Sequence, residues 1–281
     1  MKTVNSLSGG KTSSYIAANY PADYNVFALV RIEDEKCKFP DKKIRQEVED
    51  RIQAPFIATA EDDMIIYTML DLEQYIGQKI DWVTGKTFDE VINSGGTLPD
   101  PLRRYCTTQM KLEPVFEWWR KEINIPCEFR LGFRANETRR ANRTTEKTND
   151  NGFLEMKAII GKRGTRNAWG MIEWQKPVYP LIKDAIYKDD VESFWKDKPV
   201  RFAWMNNCVG CFHKHPTLIR KMWDKHPDKL NWFTSKERIK HNKDVWYKDK
   251  NLSFADIKKW NPQQELFDDD FNECDSGYCG L

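Results

Sequence analysis

Short apolar runs alternate with amphipathic stretches through the first half of the chain. The first run, residues 3–7, leads into a glycine turn and then into a stretch at 15–19 that suits a helix. Further apolar runs at 26–32, 55–58 and 128–133 have the length of buried strands. The pattern therefore predicts several short strands that are separated by longer connecting segments.

Helices are predicted within those connecting segments. Ile44, Val48 and Ile52 recur at helical spacing behind Asp41, which is placed to cap the helix N-terminus. The stretch 111–123 continues the same helical pattern. Strands that alternate with helices predict an α/β fold, in which a parallel sheet of about five strands is covered by helices on both faces.

The C-terminal third of the chain has a helical character instead. Pro216 stands where a helix would begin, and Ser253 opens a capping box. Residues 139–170 are rich in polar residues and glycine, and we expect them to form a long loop. We therefore predict an α/β domain over 1–200 and a helical region over 201–281.

Composition narrows the class of protein. Hydrophobic residues make up 40% of the chain and charged residues 31%, which is typical of a folded globular protein and excludes collagen-like and disordered classes. The formal charge of +2 gives no overall footprint for nucleic acid or a membrane surface, although a local patch stays open. No apolar run is long enough to span a bilayer and no signal peptide is visible, so we expect a cytoplasmic protein without a membrane partner.

The glycine loop, defined as Ser8–Ser13 with the sequence SGGKTS, is the first candidate site. It places backbone N–H groups and hydroxyls at a helix N-terminus, where the partial positive charge favours phosphate or pyrophosphate. Its spacing is neither that of a Walker loop nor that of the dinucleotide fingerprint. A capped Gly-Gly turn without a ligand remains the alternative.

Five segments, in this order, resemble the phosphoadenosine phosphosulfate (PAPS) reductase family of the adenine nucleotide alpha hydrolase (PP-loop) superfamily. They are SGGKTS at 8–13, the acidic strand end through Phe-Pro at 32–40, RYCTTQMKLEP at 104–114, LGFRANETRR at 131–140, and YPL at 179–181 with Asp-Val at 190–191. The resemblance implies a Rossmann-like parallel sheet and an adenine nucleotide as ligand, either ATP, with Mg²⁺ as a further candidate, or PAPS or adenylylsulfate (APS).

The resemblance also implies the residues of the nucleotide site. The loop residues expected to hold the phosphates are Ser8, Gly9, Gly10, Lys11, Thr12 and Ser13, and Ile32 belongs to the strand whose end holds the adenine. Lys111 and Arg134 are expected to contact phosphate or sulfate and to take part in catalysis, with Glu137 as a candidate partner that orients Arg134. Ordinary surface charge is the alternative for both cations. Thr12 stands where many ATP-cleaving relatives have Asp, so it offers Mg²⁺ no carboxylate.

The seven cysteines do not suggest a disulfide framework, because their number is odd and the chain shows no export signal. The C-x-x-C of Cys208 and Cys211, together with Cys274 and Cys279, supplies four thiolates for zinc or an iron–sulfur cluster. Unligated thiols are the alternative, which we accept for two further cysteines, Cys37 and Cys127.

Cys106 enters through the resemblance. In adenylylsulfate reductases, which the chain resembles, a Cys-Cys pair stands at the position of Cys106-Thr107, and a downstream C-x-x-C completes a [4Fe-4S] site. Thr107 removes one of those ligands, which Cys274 or Cys279 could replace. Cys106 is therefore a candidate for catalysis or for cluster ligation.

Three functions stay open at this point. The first is a transferase-type enzyme that cleaves ATP to AMP and pyrophosphate, and so activates an acceptor for sulfur transfer. The second is an oxidoreductase that releases sulfite from PAPS or APS, and the third is a nucleotide-binding protein without catalysis. Candidate partners besides the adenine nucleotide are a sulfur-donor protein and a nucleic-acid acceptor.

Overall fold

The structure is a computed structural model that describes residues 1–95, 97–100, 103–206, 208–237, 239–240, 243–244 and 252–260. Cys274 and Cys279 lie outside the described residues, and so does the metal-site prediction as far as it concerns them. The chain divides into two compact units. The first comprises Met1–Phe27, Met69–Asp81 and Val115–Val200, and the second Ala28–Thr68, Trp82–Pro114 and the described part of 201–281.

The fold is α/β, with a mainly parallel sheet that helices flank. The described strands are β1 Thr3–Leu7, β2 Tyr24–Ala28, β3 Arg31–Ile32, β4 Ala58–Thr59, β5 Ile80–Val83, β6 Cys127–Arg130, β7 Leu154–Arg163, β8 Arg166–Val178, β9 Ile239–Lys240 and β10 Lys243–Asp244. The described helices are α1 Lys11–Asn19, α2 Lys42–Ile52, α3 Met64–Ile76, α4 Phe88–Gly95, α5 Tyr105–Thr107, α6 Glu113–Glu122, α7 Thr138–Thr145, α8 Pro180–Lys183, α9 Lys188–Trp195, α10 Pro216–Lys225, α11 Pro227–Lys236 and α12 Phe254–Lys258.

Among the described residues, six strands form the main sheet in the order β5-β2-β1-β6-β8-β7. Strand β1 is parallel to both of its neighbours, with Leu7 opposite Phe27 and Thr3 opposite Glu128. Strand β6 is also parallel to β8, whereas β7 runs antiparallel to β8 at the sheet edge. The carboxyl ends of β1, β6 and β8 therefore lie at one edge of the sheet, where ligands bind in open α/β folds.

Aromatic side chains fill the core of the first unit. The buried Trp174 of β8 packs edge-on against Phe129 of β6 at a ring-centroid distance of 5.1 Å and against Phe116 of α6 at 5.4 Å. Helix α9 packs on α1 through Tyr15 and Phe194, whose ring centroids are 5.0 Å apart. Each such buried aromatic stabilises the fold by about 1.5–3 kcal/mol.

A separate hydrophobic cluster forms the core of the second unit. Phe88 of α4 meets Trp232 and Phe233 of α11, at ring-centroid distances of 5.3 Å and 5.7 Å. The indole N–H of Trp223 in α10 donates to the carbonyl of Phe254, which begins α12. The C-terminal helices therefore pack against segments from the first half of the sequence.

Three local predictions about helix ends are confirmed. Asp41 caps α2, where its Oδ1 accepts hydrogen bonds from the backbone N–H groups of Lys43 and Ile44 at 2.8 Å and 3.1 Å. Pro216 occupies the first turn of α10, and Ser253 opens α12 with the expected capping box.

The long loop that was predicted over 139–170 is wrong. The segment forms most of α7 and the whole of β7, and then enters β8. Along β7, Ala158 is buried while its neighbours Lys157 and Ile159 are exposed, which is the alternation of a strand with one covered face. The many glycines and cations of the segment obscure this period of two.

Two further element boundaries also differ from the prediction. The run 26–32 is not one strand but two, β2 and β3, and β3 pairs antiparallel with β4 in a separate small sheet. Arg31 anchors the break, because its guanidinium donates to the carbonyls of Pro55 and Gly85, both at 2.8 Å. The predicted helix 111–123 is confirmed as α6 over Glu113–Glu122, but Lys111 and Leu112 belong to a π-helical turn, Thr108–Leu112, that leads directly into it.

Helix lengths also bear on membrane insertion. Within the part of the chain that the structure describes, none of the helices combines the length and the apolar character needed to cross a bilayer.

The cap at Asp41 leads to a stability prediction. Asp41→Ala removes the acceptor for two backbone N–H groups and should lower the free energy of unfolding by about 1 kcal/mol. Asp41→Asn retains the capping oxygen and should lose much less. Urea unfolding followed by circular dichroism measures both changes, and equal stability of Asp41→Ala and the wild type would contradict the capping role.

Candidate functional site

The glycine loop connects β1 to α1 in the first unit. Gly9 has a φ of +79°, a left-handed conformation that favours glycine, and Gly10 is the N-cap of α1 in an extended conformation. The Ser13 hydroxyl accepts a hydrogen bond from the Ser8 backbone N–H and donates to the Gly10 carbonyl, both at 3.1 Å. The loop is thus folded around its own serine, at a helix N-terminus that attracts anions.

The segment that follows β6 closes against this loop. A Cβ atom on Gly132 would lie 3.4 Å from the backbone nitrogen of Ser13 and 3.6 Å from the Thr12 methyl group. Because β1 and β6 are parallel neighbours, the loops that follow them leave the same sheet edge. The structure therefore brings together two of the segments that carry the family resemblance.

Arg134, which was predicted as a phosphate or sulfate contact, is buried in the first unit with only 6% of its surface exposed. Its Nε donates to Glu137 Oε2 at 3.1 Å, and the same carboxylate forms an ion pair with Arg140. The Arg140 guanidinium also lies 4.3 Å from the centre of the Phe133 ring. Glu137 therefore holds two cations at the end of β6, in the orienting role that the sequence suggested for Arg134.

Lys11 and Thr12 occupy the first turn of α1. The Lys11 ammonium forms an ion pair with Glu192 of α9, while the Lys11 carbonyl accepts from the Trp195 indole N–H at 2.9 Å. This pairing holds α9 on α1. The Lys11 side chain is about one-third exposed.

The second unit holds a cavity that we call the thiol cavity, because Cys106, Cys208 and Cys211 all line it. It contains about 590 Å³ of empty space, including its open mouth. Apolar residues form most of its wall, and its polar lining consists of Arg104, Thr107, Lys111, His213 and the three cysteines. Cys106 and the C-x-x-C thus share one cavity, although a metal site was predicted for Cys208 and Cys211 with the tail cysteines.

The C-x-x-C turn is held by its own backbone and by a buried lysine. The Cys211 N–H donates to the Cys208 carbonyl at 3.0 Å, and the Val209 N–H donates to Ala60 at 2.8 Å. Lys214, only 1% exposed, donates its ammonium protons to the Asn206 and Cys208 carbonyls at 2.8 Å and 2.7 Å. The buried ammonium of Lys214 therefore fixes the backbone at the start of the turn that carries the two thiols.

The close approach of Phe233 explains why position 210 of the turn is a glycine. A Cβ atom at this position would lie 2.5 Å from the Phe233 ring, a distance that no side chain could accommodate without moving α11. The turn and the helix are therefore in direct contact, and the position of the thiols depends on the packing of α11.

Lys111, which was predicted to contact phosphate, is paired in the second unit. Its Nζ lies 2.9 Å from Glu61 Oε1, and Glu61 is only 1% exposed. The other carboxylate oxygen, Oε2, is buried without a hydrogen-bond partner among the described residues. The Lys229 ammonium donates to the Glu61 carbonyl and to the Asp63 carboxylate, so a buried charge cluster lies beside the cavity.

Glu61, Lys214 and Lys229 were not predicted from the sequence. All three look like surface charges, since they stand in strongly polar stretches, and no local pattern distinguishes them. Ile32 is buried in β3 of the second unit, whereas the glycine loop belongs to the first. Within the described residues, no three histidine, cysteine or acidic side chains come close enough to hold one metal ion.

The remaining two described cysteines are structural. Burial, with a smaller contribution from the Asp34 charge, raises the pKa of the Cys37 thiol to about 12. Burial likewise raises the pKa of Cys127 to about 11. Because the folded state keeps protons that the unfolded chain releases, stability falls as the pH rises above about 9, the ordinary value for a thiol.

These pKa values predict the order of thiol labelling. At about pH 8, iodoacetamide should modify the half-buried Cys106 and Cys208 much faster than Cys37 and Cys127, which stay protonated and covered. Peptide mass spectrometry against time gives the rate at each site. The denatured protein is the control, in which all the sites should react alike; rapid labelling of Cys127 in the folded protein would contradict the prediction.

Comparisons with known proteins do not assign the chain to a family. No family model matches the chain, and neither a curated protein nor a solved structure matches it. The resemblance to the PAPS reductase family thus rests on the five sequence segments, and membership of that family stays a prediction.

Proposed function

We propose that the protein is a Rossmann-like PP-loop enzyme of the PAPS reductase family, which binds an adenine nucleotide and cleaves ATP to AMP and pyrophosphate. The observation that carries the proposal is the glycine loop at the N-terminus of α1, with Gly132 closed against it. Such a loop offers backbone N–H groups to an anion with little reorganisation. The cysteines suggest that the acceptor is activated in order to receive sulfur.

The proposed reaction has two steps. An acceptor oxygen attacks the α-phosphorus of ATP, the bond between that phosphorus and the α–β bridging oxygen breaks, and pyrophosphate leaves. A sulfide-level sulfur nucleophile then attacks the acceptor atom that bears the adenylate, the bond from that atom to the adenylated oxygen breaks, and AMP leaves with that oxygen. The glycine loop would hold the leaving pyrophosphate, and Arg134, already oriented by Glu137, would stabilise the charge that develops on the phosphates.

The thiol cavity supplies the sulfur chemistry in this proposal. Its three lining cysteines are the thiols that would carry the sulfur, and Lys214 fixes the turn that holds Cys208 by donating to the Cys208 carbonyl. The described residues do not by themselves fit a zinc ion or an iron–sulfur cluster, because no three ligands converge. A metal site would need further ligands, such as Cys274 and Cys279.

A sulfonucleotide reductase is the second candidate function. The observation that favours it is the presence of Cys106 in the same cavity as the C-x-x-C, as in the arrangement that the resemblance to adenylylsulfate reductases implies. Thr107, in place of a second cysteine, favours the ATP-cleaving enzyme. A nucleotide-binding protein without catalysis would show neither product.

The loop is tested by Gly10→Asp with Gly10→Asn as its matched control. Both residues are good N-caps of nearly equal size, so the two variants place the same demand on the buried position of Gly10, and thermal melting checks that both fold. Only Asp adds a negative charge where the phosphates would bind. Calorimetry should show that Gly10→Asp loses ATP binding while Gly10→Asn retains more of it; equal affinity of Gly10→Asp and the wild type would refute the site.

The reaction is tested with ATP, APS and PAPS on anaerobically purified protein whose metal content has been measured. ATP with a competent acceptor should yield pyrophosphate and AMP in equal amounts, and Arg134→Gln should slow this reaction by about 100-fold or more. Sulfite from APS or PAPS with a thiol donor, without pyrophosphate, would identify the reductase instead. Nucleotide binding without any product would indicate a nucleotide-binding protein without catalysis.

A further inference from the structure

The hairpin of β7 and β8 exposes a surface that the proposed nucleotide site does not use. Trp169 is 58% exposed, Met171 57% and Ile159 38%. Ile159 lies directly opposite Trp169, and Lys157 lies opposite Met171, so these four side chains share one face of the antiparallel pair. We call this set the hairpin face.

The opposite side of the hairpin is covered at its base, whereas Ile160, nearer the tip, is 61% exposed. Ala158 is buried, while Met156, Gly170 and Ile172 are half-buried. The side chain of Ile160 lies against Gly170, where an added Cβ would come within 2.7 Å of it. The base of the hairpin is therefore packed on one side only. On the other side the large indole of Trp169 is exposed to solvent, so core packing does not explain its presence there.

The charge of the outer half of the hairpin is one-sided, whereas Glu155 and Glu173 stand opposite each other at its base. Between residues 156 and 172 the chain has four cations and no acidic residue, although the whole protein carries 43 acidic residues and a net charge of only +2. The cations are Lys157 on the hairpin face and Lys162, Arg163 and Arg166 around the tip. The Lys157 ammonium lies 6.0 Å from the centre of the Trp169 ring.

We propose that the hairpin face and the cationic tip bind single-stranded nucleic acid. A flat exposed indole beside cations matches the chemistry of a strand, because a base can stack on the ring while Lys and Arg neutralise its phosphates. The bases of a duplex are stacked on each other, so none of them has a free face that could stack on Trp169. Charge complementarity thus selects a polyanion, and the exposed ring selects one with unpaired bases.

This binding does not depend on the glycine loop, which follows β1. Only the additional step, that the bound strand is the acceptor of sulfur, rests on the proposed function. Trp169 would then position the acceptor and would take no part in bond breaking.

Fluorescence anisotropy with a labelled mixed-sequence single strand tests the proposal on the full chain. Trp169→Ala should weaken binding by about 5- to 150-fold, the range for losing one base stack, whereas Trp169→Phe should retain most of the affinity. The matched control is Trp260→Ala, which removes another exposed tryptophan, outside the hairpin, and should change nothing.

The charge contribution is tested by salt titration. The double variant Lys162→Gln/Arg163→Gln should reduce the slope of log affinity against log salt by about 0.7 for each phosphate that is no longer neutralised by a cation. Lys42→Gln/Lys43→Gln, on the exposed start of α2, removes the same net charge elsewhere and should leave the slope nearly unchanged. All of these positions are exposed, so the variants should keep the circular dichroism spectrum of the wild type.

The outcomes separate this inference from the proposed function. Absence of strand binding, equal affinity for a duplex, or insensitivity to Trp169→Ala would overturn it, as would hairpin-dependent binding of anionic lipid vesicles or an acidic peptide with no binding of a strand. Gly10→Asp should bind the strand like the wild type, while Trp169→Ala should bind ATP like the wild type. A wild-type protein that binds ATP but no strand refutes this inference alone, and one that binds the strand but no nucleotide refutes the proposed function alone.

Discussion

The parallel pairing of β1 with β6 is the constraint on which the candidate nucleotide site depends. These strands are far apart in sequence, yet their alignment brings Gly132 against the backbone of Ser13. The same alignment puts Arg134 at the end of the strand next to the glycine loop. A change in register would move both, because a shift of one residue exchanges the two faces of a strand. The loop supplies the anion site, and the sheet supplies its surroundings.

The second unit depends on buried charge to a degree that its hydrophobic core does not suggest. Lys214 satisfies carbonyls of the C-x-x-C turn, Lys229 holds the segment around Glu61, and Lys111 neutralises the Glu61 carboxylate. A buried charge is costly to leave without its partner, and removing one member of the buried pair of Lys111 and Glu61 should cost about 3–5 kcal/mol. The buried charges therefore favour one arrangement of the segments around the thiol cavity over any other.

Local features of this fold could be predicted from the sequence, and long-range ones could not. The caps at Asp41 and Ser253 and the glycine loop between β1 and α1 are encoded within a few residues, since each depends on one side chain and its adjacent backbone. The pairing of Glu61 with Lys111 joins residues fifty positions apart, so no local pattern announces it. The hairpin was missed because glycines and cations hide its alternation. Within the site, the sequence indicated which residues to consider, but only the structure shows that Cys106 shares a cavity with Cys208.

The contact between Gly210 and Phe233 limits how early during synthesis the second unit can fold. The second unit combines residues 28–68 and 82–114 with the C-terminal part of the chain, and a ribosome delivers these stretches far apart in time. Glu61 and Cys106 emerge early, whereas the C-x-x-C turn and the helix that seats it emerge near the end. The nascent chain therefore exposes Cys106 during much of its synthesis. A chain released before Phe233 would be left with thiols but without a cavity to hold them.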